Sequence, residues 1–289
     1  MPQRGNPTEK YVRLRNDPAV LRLLISSPIL SRNTMPDQIA PLTLAPDPAS
    51  EDVSLFLDFD GTLVDIAERH DAVVVDPGLG RLIGGLAERL NGRVALVSGR
   101  STADILAHLG LQNTQPPFAI AGSHGLELLW GDGRTEAPTR PEGLDEALTA
   151  LNALAGTHAG VVVEEKPFGA ALHYRQAPDA GPACDALAEK IAARTGFALQ
   201  HGKMVVELRT HGADKGDAVR RFMAEPPMAG TRPIFIGDDL TDEAGFVAAE
   251  ALGGWGILVG GPRETAARYR LPGVKDVHEW LGSLAGVAA

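Results

Sequence analysis

Chemistry in this chain concentrates where apolar runs stop. Asp58-Phe59-Asp60-Gly61-Thr62 directly follows the run Val53 to Leu57. A D-x-D-G-T string arises by accident in about a few in a thousand chains of this length, so an Asx turn that merely closes a strand is the weaker reading. Two carboxylates crowded at one strand end repel each other. A divalent cation relieves that repulsion, and hard oxygen ligands select magnesium. A second acidic string, Gly237-Asp238-Asp239-Leu240-Thr241-Asp242-Glu243, follows the run Pro233 to Ile236. Thr241 can cap the next helix, and Asp242 and Glu243 suit the positive end of its dipole. Asp238 and Asp239 precede that cap, so Asp238 is read as a ligand in the second half of a metal site.

Two further positions suit an anion. Ser98-Gly99-Arg100 follows the run Val94 to Val97. A hydroxyl and backbone N–H groups at a strand-to-helix turn cradle phosphate, although Ser98 is equally readable as a helix cap. Lys215 stands near the start of a helical segment, where the dipole disfavours a cation, which suggests that an anion holds it.

The elements that must position these residues alternate strand and helix. Between Val53–Leu57 and Val94–Val97 lies a helix with apolar residues at Leu79, Leu82, Ile83, Leu86 and Leu90, stopped by Asn91-Gly92. Ile105, Leu106 and Leu109 mark another helix, and Phe118 to Ala121 a third strand. This order implies a Rossmann-like parallel sheet with right-handed crossovers. From Glu142 to Leu208 the pattern becomes helix-strand-strand twice over, with hairpin turns at Lys166-Pro167-Phe168-Gly169 and around His201-Gly202. That describes a small antiparallel sheet with helices on one face, an α+β unit inserted into the α/β core and able to act as its lid. The pattern then resumes with a helix from about Asp214, the strand Pro233 to Ile236, a helix after Thr241, and the strand Ile257 to Val259. The expected division is an N-terminal arm over 1–50, poorly ordered; a core over 51–125 and 209–289; and the inserted cap over 126–208. Ligands of open α/β sheets bind beyond the carboxyl ends of the strands, where the acidic strings and Ser98 fall.

Composition narrows the partners. The chain has 289 residues, 44% of them hydrophobic, and a formal net charge of -10. An acidic protein disfavours nucleic acid and anionic membrane as main partners, and an anionic substrate needs a local positive site. The single cysteine, Cys184, falls in the helical apolar series with Leu187, Ala188, Ile191 and Ala192 and reads as a core residue in a reducing compartment. With neither a membrane span nor the apolar core of a signal peptide, the expected location is the cytoplasm.

The motifs, in this order, resemble the haloacid dehalogenase superfamily of phosphatases over about 51 to 289, with the insertion at the family's second cap position (a C2B-type cap). Within it the chain looks like the trehalose-6-phosphate phosphatases. The matching strings are Gly122-Ser123-His124-Gly125-Leu126-Glu127, Glu165-Lys166 through Leu172-His173-Tyr174-Arg175, Gly202-Lys203-Met204-Val205-Val206-Glu207, and the Gly237–Glu243 string.

The resemblance implies hydrolysis of a sugar phosphate through an aspartyl-phosphate. Asp58 is the nucleophile. Asp60 is the acid for the leaving sugar and then the base for water. Magnesium is held by the Asp58 carboxylate, the Asp60 backbone carbonyl and Asp238. Ser98, Gly99 and Lys215 hold the phosphate, and Asp239 and Asp242 orient the ligands. Glu127, Lys203 and Glu207, with Arg100 and His124, are the residues expected to read the sugar; Lys166, His173 and Arg175 are weaker candidates. A trehalose-phosphate synthase is the implied functional partner. Sucrose-6-phosphate and mannosyl-3-phosphoglycerate remain alternative substrates, a sugar phosphomutase an alternative activity, and a non-catalytic sugar-phosphate sensor a further rival. A sensor would have no need to keep Asp58, Asp60, Lys215 and Asp238 together.

Overall fold

The structure is a computed structural model that describes residues 43–46, 52–66 and 73–286. Val53–Leu57 is apolar throughout except for Ser54, and as strand β2 it is buried at every position, as a central parallel strand requires. Beside β1 (Thr43–Leu44) and β2, the core contains β3 (Val94–Val97), β4 (Ala119–Gly122), β5 (Glu127–Leu129) and β6 (Thr135–Glu136). The cap supplies β7 (Val162–Lys166), β8 (Gly169–His173), β9 (Ala198–Gly202) and β10 (Val205–Arg209), and the core closes with β11 (Arg232–Gly237), β12 (Trp255–Val259) and β13 (Tyr269–Leu271).

The core sheet runs β1-β13-β12-β11-β2-β3-β4-β5-β6. It is parallel as far as β4, and β5 and β6 continue it antiparallel. Successive strand residues point to opposite faces. Leu55, Leu57, Leu96, Ile234 and Ile236 therefore pack in one cluster with the helices Leu79–Arg89 and Val274–Ala285. Phe56, Val97 and Phe235 pack in a second cluster with Lys215–Met223 and Glu243–Ala251. With apolar layers on both faces, the strand ends are the places left for polar groups to converge.

The cap is a four-stranded antiparallel sheet, β7-β8-β10-β9, backed by the helices Leu144–Thr157 and Gly181–Thr195. Cys184 is fully buried in its core with Leu144, Leu172 and Leu208. The β7–β8 turn falls where the sequence places it. The β9–β10 turn is Lys203-Met204 rather than His201-Gly202, because Gly202 still pairs with Val205 and Met204 takes the positive φ of 65°.

Two boundaries differ from expectation. β5 and β6 belong to the core sheet, so the insertion begins after Glu136 rather than at 126, and its regular structure spans Leu144 to Arg209. Within the arm assigned to 1–50, Thr43 and Leu44 form β1 and pair with Tyr269 and Arg270; residues 1–42 and 47–50 lie outside the described residues. β13 and the helix Val274–Ala285 complete the core beyond the last strand anticipated from sequence. No helix among the described residues is long and apolar enough to cross a membrane.

Candidate active site

β2 and β11 are hydrogen-bonded neighbours, with Ile236 opposite Leu57, so Asp58 and Asp238 leave the same edge of the sheet. The Asp58 N–H, donating to the Ile236 carbonyl at 2.9 Å, carries the pairing one residue further. Gly61 lies at φ +84°, and a Cβ there would stand 2.3 Å from Asp238 Oδ2. The glycine of the D-x-D-G-T string is therefore the space into which Asp238 fits.

Lys215 opens its helix without serving it. Asp214 is the N-cap and forms a capping box with Asp217, so the helix start is satisfied by its neighbours. Lys215 is 3% exposed, and its ammonium donates to Asp58 Oδ1 at 2.7 Å and to Asp242 Oδ1 at 2.6 Å. The anion inferred from the helix dipole is thus a pair of buried carboxylates. Burial alone would favour the neutral amine, but Asp242 and Asp58 outweigh it and hold the lysine above its usual range.

One cation does not neutralise the three acids at this edge. Carboxylate oxygens of Asp58, Asp238 and Asp242 lie within 4.8 Å of one another, an arrangement able to hold a metal ion. Burial, then the charge of Asp242, pushes the Asp58 carboxyl well above its ordinary range. Burial, then Asp242, pushes Asp238 up to about 7. Asp238 Oδ1 is buried with no hydrogen-bond partner, the kind of atom that marks a missing ligand. All donors are hard oxygens, so the residues fit a small hard divalent cation.

Asp242 has a larger part than the supporting one expected of it. Its Oδ2 accepts from the backbone N–H groups of Asp238 and Asp239 at 2.9 and 3.0 Å, and its Oδ1 takes Lys215. It therefore fixes both the lysine and the Asp238 loop. Asp239, not Thr241, caps the turn that follows, accepting from Thr241 and Asp242.

The shifts give a pH-dependent expectation. The folded value of about 7 for Asp238 lies above the ordinary 3.8. The resulting contribution to metal-free stability is present below the unfolded value and is lost as pH rises through about 7. A bound cation needs Asp238 deprotonated. Added Mg²⁺ should thus raise Tm more at pH 8 than at pH 6. Thermal denaturation with and without Mg²⁺ at both values checks this, and an equal rise, or none, counts against the site.

The remaining core candidates gather nearby. Ser98 is buried, and its hydroxyl accepts from the Arg100 N–H at 3.1 Å. Ser101, three residues on, is the cap of the next helix, which removes that alternative for Ser98. Arg100, expected at the sugar, lines the cavity described below and also grips Asp60: its Nε and Nη2 donate to the two carboxylate oxygens at 2.7 Å each, and Nη1 meets His108 Nε2 at 3.0 Å. The Asp60 side chain is thus turned toward Arg100, outside the trio around Lys215. His124 packs against Gly99, and burial, then Arg209, drives its pKa well below the ordinary histidine value.

Above these lies a cavity of about 340 Å³, within the size range of small-molecule sites. Asp58, Asp60, Ser98, Gly99, Arg100, His124 and Lys215 form its core side, and Lys166, His173, Arg175 and Lys203 its cap side. Glu207 reaches the site through Lys166, whose ammonium donates to Glu207 Oε1 at 2.9 Å. Glu164 also lines the cavity, accepting from His173 at 2.7 Å if the imidazole carries its proton on Nε2. Sequence reasoning passed over it, although its position two residues before Lys166 on β7 puts both on one face. Glu127 does not line the cavity. It sits on β5, where its two oxygens accept from Ser123 Oγ at 2.5 Å and Thr102 Oγ1 at 2.8 Å.

Known proteins share this architecture. A family model described as trehalose-phosphatase matches residues 56–275. The chain is 44% identical over 237 residues to a probable trehalose-phosphate phosphatase of Sinorhizobium fredii, covering 81% of this chain and 87% of that one. It is 38% identical over 243 residues to the trehalose-6-phosphate phosphatase of Escherichia coli, covering 83% and 89%. The solved C-terminal domain of the C. albicans trehalose-6-phosphate phosphatase shares the fold with a TM-score of 0.72 at 21% identity, over 87% of this chain and all of that one. Placed beside the carboxylate cluster and the capped cavity, these similarities establish that the chain belongs to the trehalose-phosphatase family.

Proposed function

We propose that the protein hydrolyses trehalose-6-phosphate to trehalose and inorganic phosphate in two displacements at Asp58. The observation that carries this is the Asp58 carboxylate, buried at the end of β2, 2.7 Å from Lys215 and on the floor of a cavity roofed by the cap. An Asp58 oxygen bonds to phosphorus as the bond from phosphorus to the sugar oxygen breaks, and Asp60 protonates that oxygen. Water then bonds to phosphorus, its proton passes to Asp60, and the bond to Asp58 breaks. Both Asp60 oxygens accept from Arg100, which favours the carboxylate, so loosening of that pair would help Asp60 to carry the proton. Lys215, Ser98 and the N–H groups of the loop at Gly99 take the non-bridging oxygens, where charge spreads in the transition state. Held by Asp58, Asp238 and the Asp60 carbonyl, Mg²⁺ would cancel the repulsion between the nucleophile and the phosphate dianion. A trehalose-phosphate synthase would supply the substrate, in the cytoplasm.

Phosphate release over a panel of sugar phosphates, with and without EDTA, tests this. Trehalose-6-phosphate should be turned over fastest and EDTA should abolish release; faster turnover of sucrose-6-phosphate would overturn the substrate. The cap should carry the preference. Lys166→Ala is expected to lower kcat/KM for trehalose-6-phosphate by about 10- to 1000-fold, roughly 1.4 to 4 kcal/mol. p-Nitrophenyl phosphate has no sugar hydroxyls and should change by less than about threefold. Parallel losses on both esters would remove the cap from sugar recognition.

A further inference from the structure

Glu127 is far from idle for a residue outside the cavity. Ahead of it the chain makes a turn in which Ser123, His124 and Gly125 all have positive φ, at 49°, 58° and 100°. For serine and histidine that conformation persists only where the surroundings impose it. On one side the turn is tied to the phosphate loop: the Ser123 N–H donates to the Arg100 carbonyl at 2.7 Å and the His124 N–H to the Ser98 carbonyl at 2.9 Å. The contact is close enough that a Cβ on Gly99 would lie 2.6 Å from His124 Nε2. On the other side a Cβ on Gly125 would lie 2.8 Å from the carbonyl of Asp214, the cap residue of the Lys215 helix. The turn is a strut between the two segments that carry Ser98 and Lys215.

The carboxylate of Glu127 locks that strut. One oxygen holds Ser123, inside the turn, and the other holds Thr102, the first residue of the helix after the phosphate loop. The geometry points to Glu127 as a positioning residue that sets the spacing of the phosphate-binding groups for every substrate, and not as a reader of the sugar. This rests on the reading of Ser98 and Lys215 as phosphate ligands.

The experiment compares Glu127→Ala and Glu127→Gln on trehalose-6-phosphate and p-nitrophenyl phosphate, with inorganic phosphate as a competitive inhibitor, well below each variant's Tm. Glu127→Ala should lower kcat/KM for both esters by a similar factor, about 10- to 100-fold, and weaken phosphate inhibition about 10-fold. Glu127→Gln should stay within about threefold of wild type, because hydroxyl partners can donate or accept and so keep both bonds. A loss confined to trehalose-6-phosphate, unchanged phosphate inhibition, or equal losses for Gln and Ala would overturn the inference. If Glu127→Ala fails to fold, Ser123→Ala, which deletes one of the two bonds, carries the same comparison. Wild-type protein that releases no phosphate from either ester overturns the phosphatase reading as well; variant results against an active wild type overturn this inference alone.

Discussion

Asp58→Asn is expected to cut phosphate release from trehalose-6-phosphate by about 10⁴-fold or more, roughly 5.4 kcal/mol in the barrier, while leaving the metal-free protein at least as heat-stable as wild type. The amide keeps the shape of the side chain and removes the carboxylate proposed as the nucleophile. The stability half of the expectation comes from burial. Burial and the neighbouring charges of Asp242 and Asp238 oppose the ionised form of Asp58, so a neutral group there relieves a penalty in the folded state. Lys215 keeps Asp242 as its partner. Phosphate-release kinetics and a melting curve without metal measure the two halves. If the variant retains a tenth of wild-type release with a native circular dichroism spectrum, Asp58 is not the nucleophile.

Lys215→Met should hurt both activity and stability, and the two should respond differently to metal. Removing one member of a buried ionic cluster costs about 3–5 kcal/mol, because the partners are left uncompensated. For a chain of this size that corresponds to a fall in Tm of about 10 °C. Asp58, Asp238 and Asp242 would then face one another with no cation among them, so Mg²⁺ should restore part of the lost Tm. Activity should stay down by about 10²-fold or more even with saturating Mg²⁺, because the contact proposed between Lys215 and the phosphoryl oxygens would be lost. A variant with wild-type Tm in EDTA would show that the lysine does not balance the cluster.

The site was legible in sequence as far as it consists of residues placed at strand ends. Asp58, Ser98 and Asp238 each follow an apolar run, and a parallel sheet brings such positions to one edge whatever its detailed register. Lys215 was legible because it stands where a helix repels it. What stayed hidden was the direction of side chains. Asp242 reads as a helix-dipole acid, and only the fold shows that it fixes Lys215 and the Asp238 loop. Arg100 and Asp60 pair across 40 residues, a choice that no local pattern encodes. Glu127 belongs to a telling string, yet alternation along a strand three residues long cannot say which face it takes. β1, β5 and β6, of two or three residues each, fall below the length at which periodicity speaks, which is why the boundaries of arm and cap moved.

The pairing of β2 with β11 also orders events in time. Leu55 lies opposite Ile234 and Leu57 opposite Ile236, so the strand carrying Asp58 is made early and finds one of its two neighbours only in the last third of the chain. During synthesis the N-terminal part emerges and begins to fold first, leaving one edge of β2 unpaired while the whole insertion is translated. An apolar strand with an open edge is a site for wrong pairings, and non-local pairing of this kind is slow. Asp238, Asp242 and Lys215 all arrive after the cap. A nascent chain at that stage carries Asp58, Asp60 and Ser98 but lacks Lys215, Asp238 and Asp242, so the candidate site is complete only once β11 has docked.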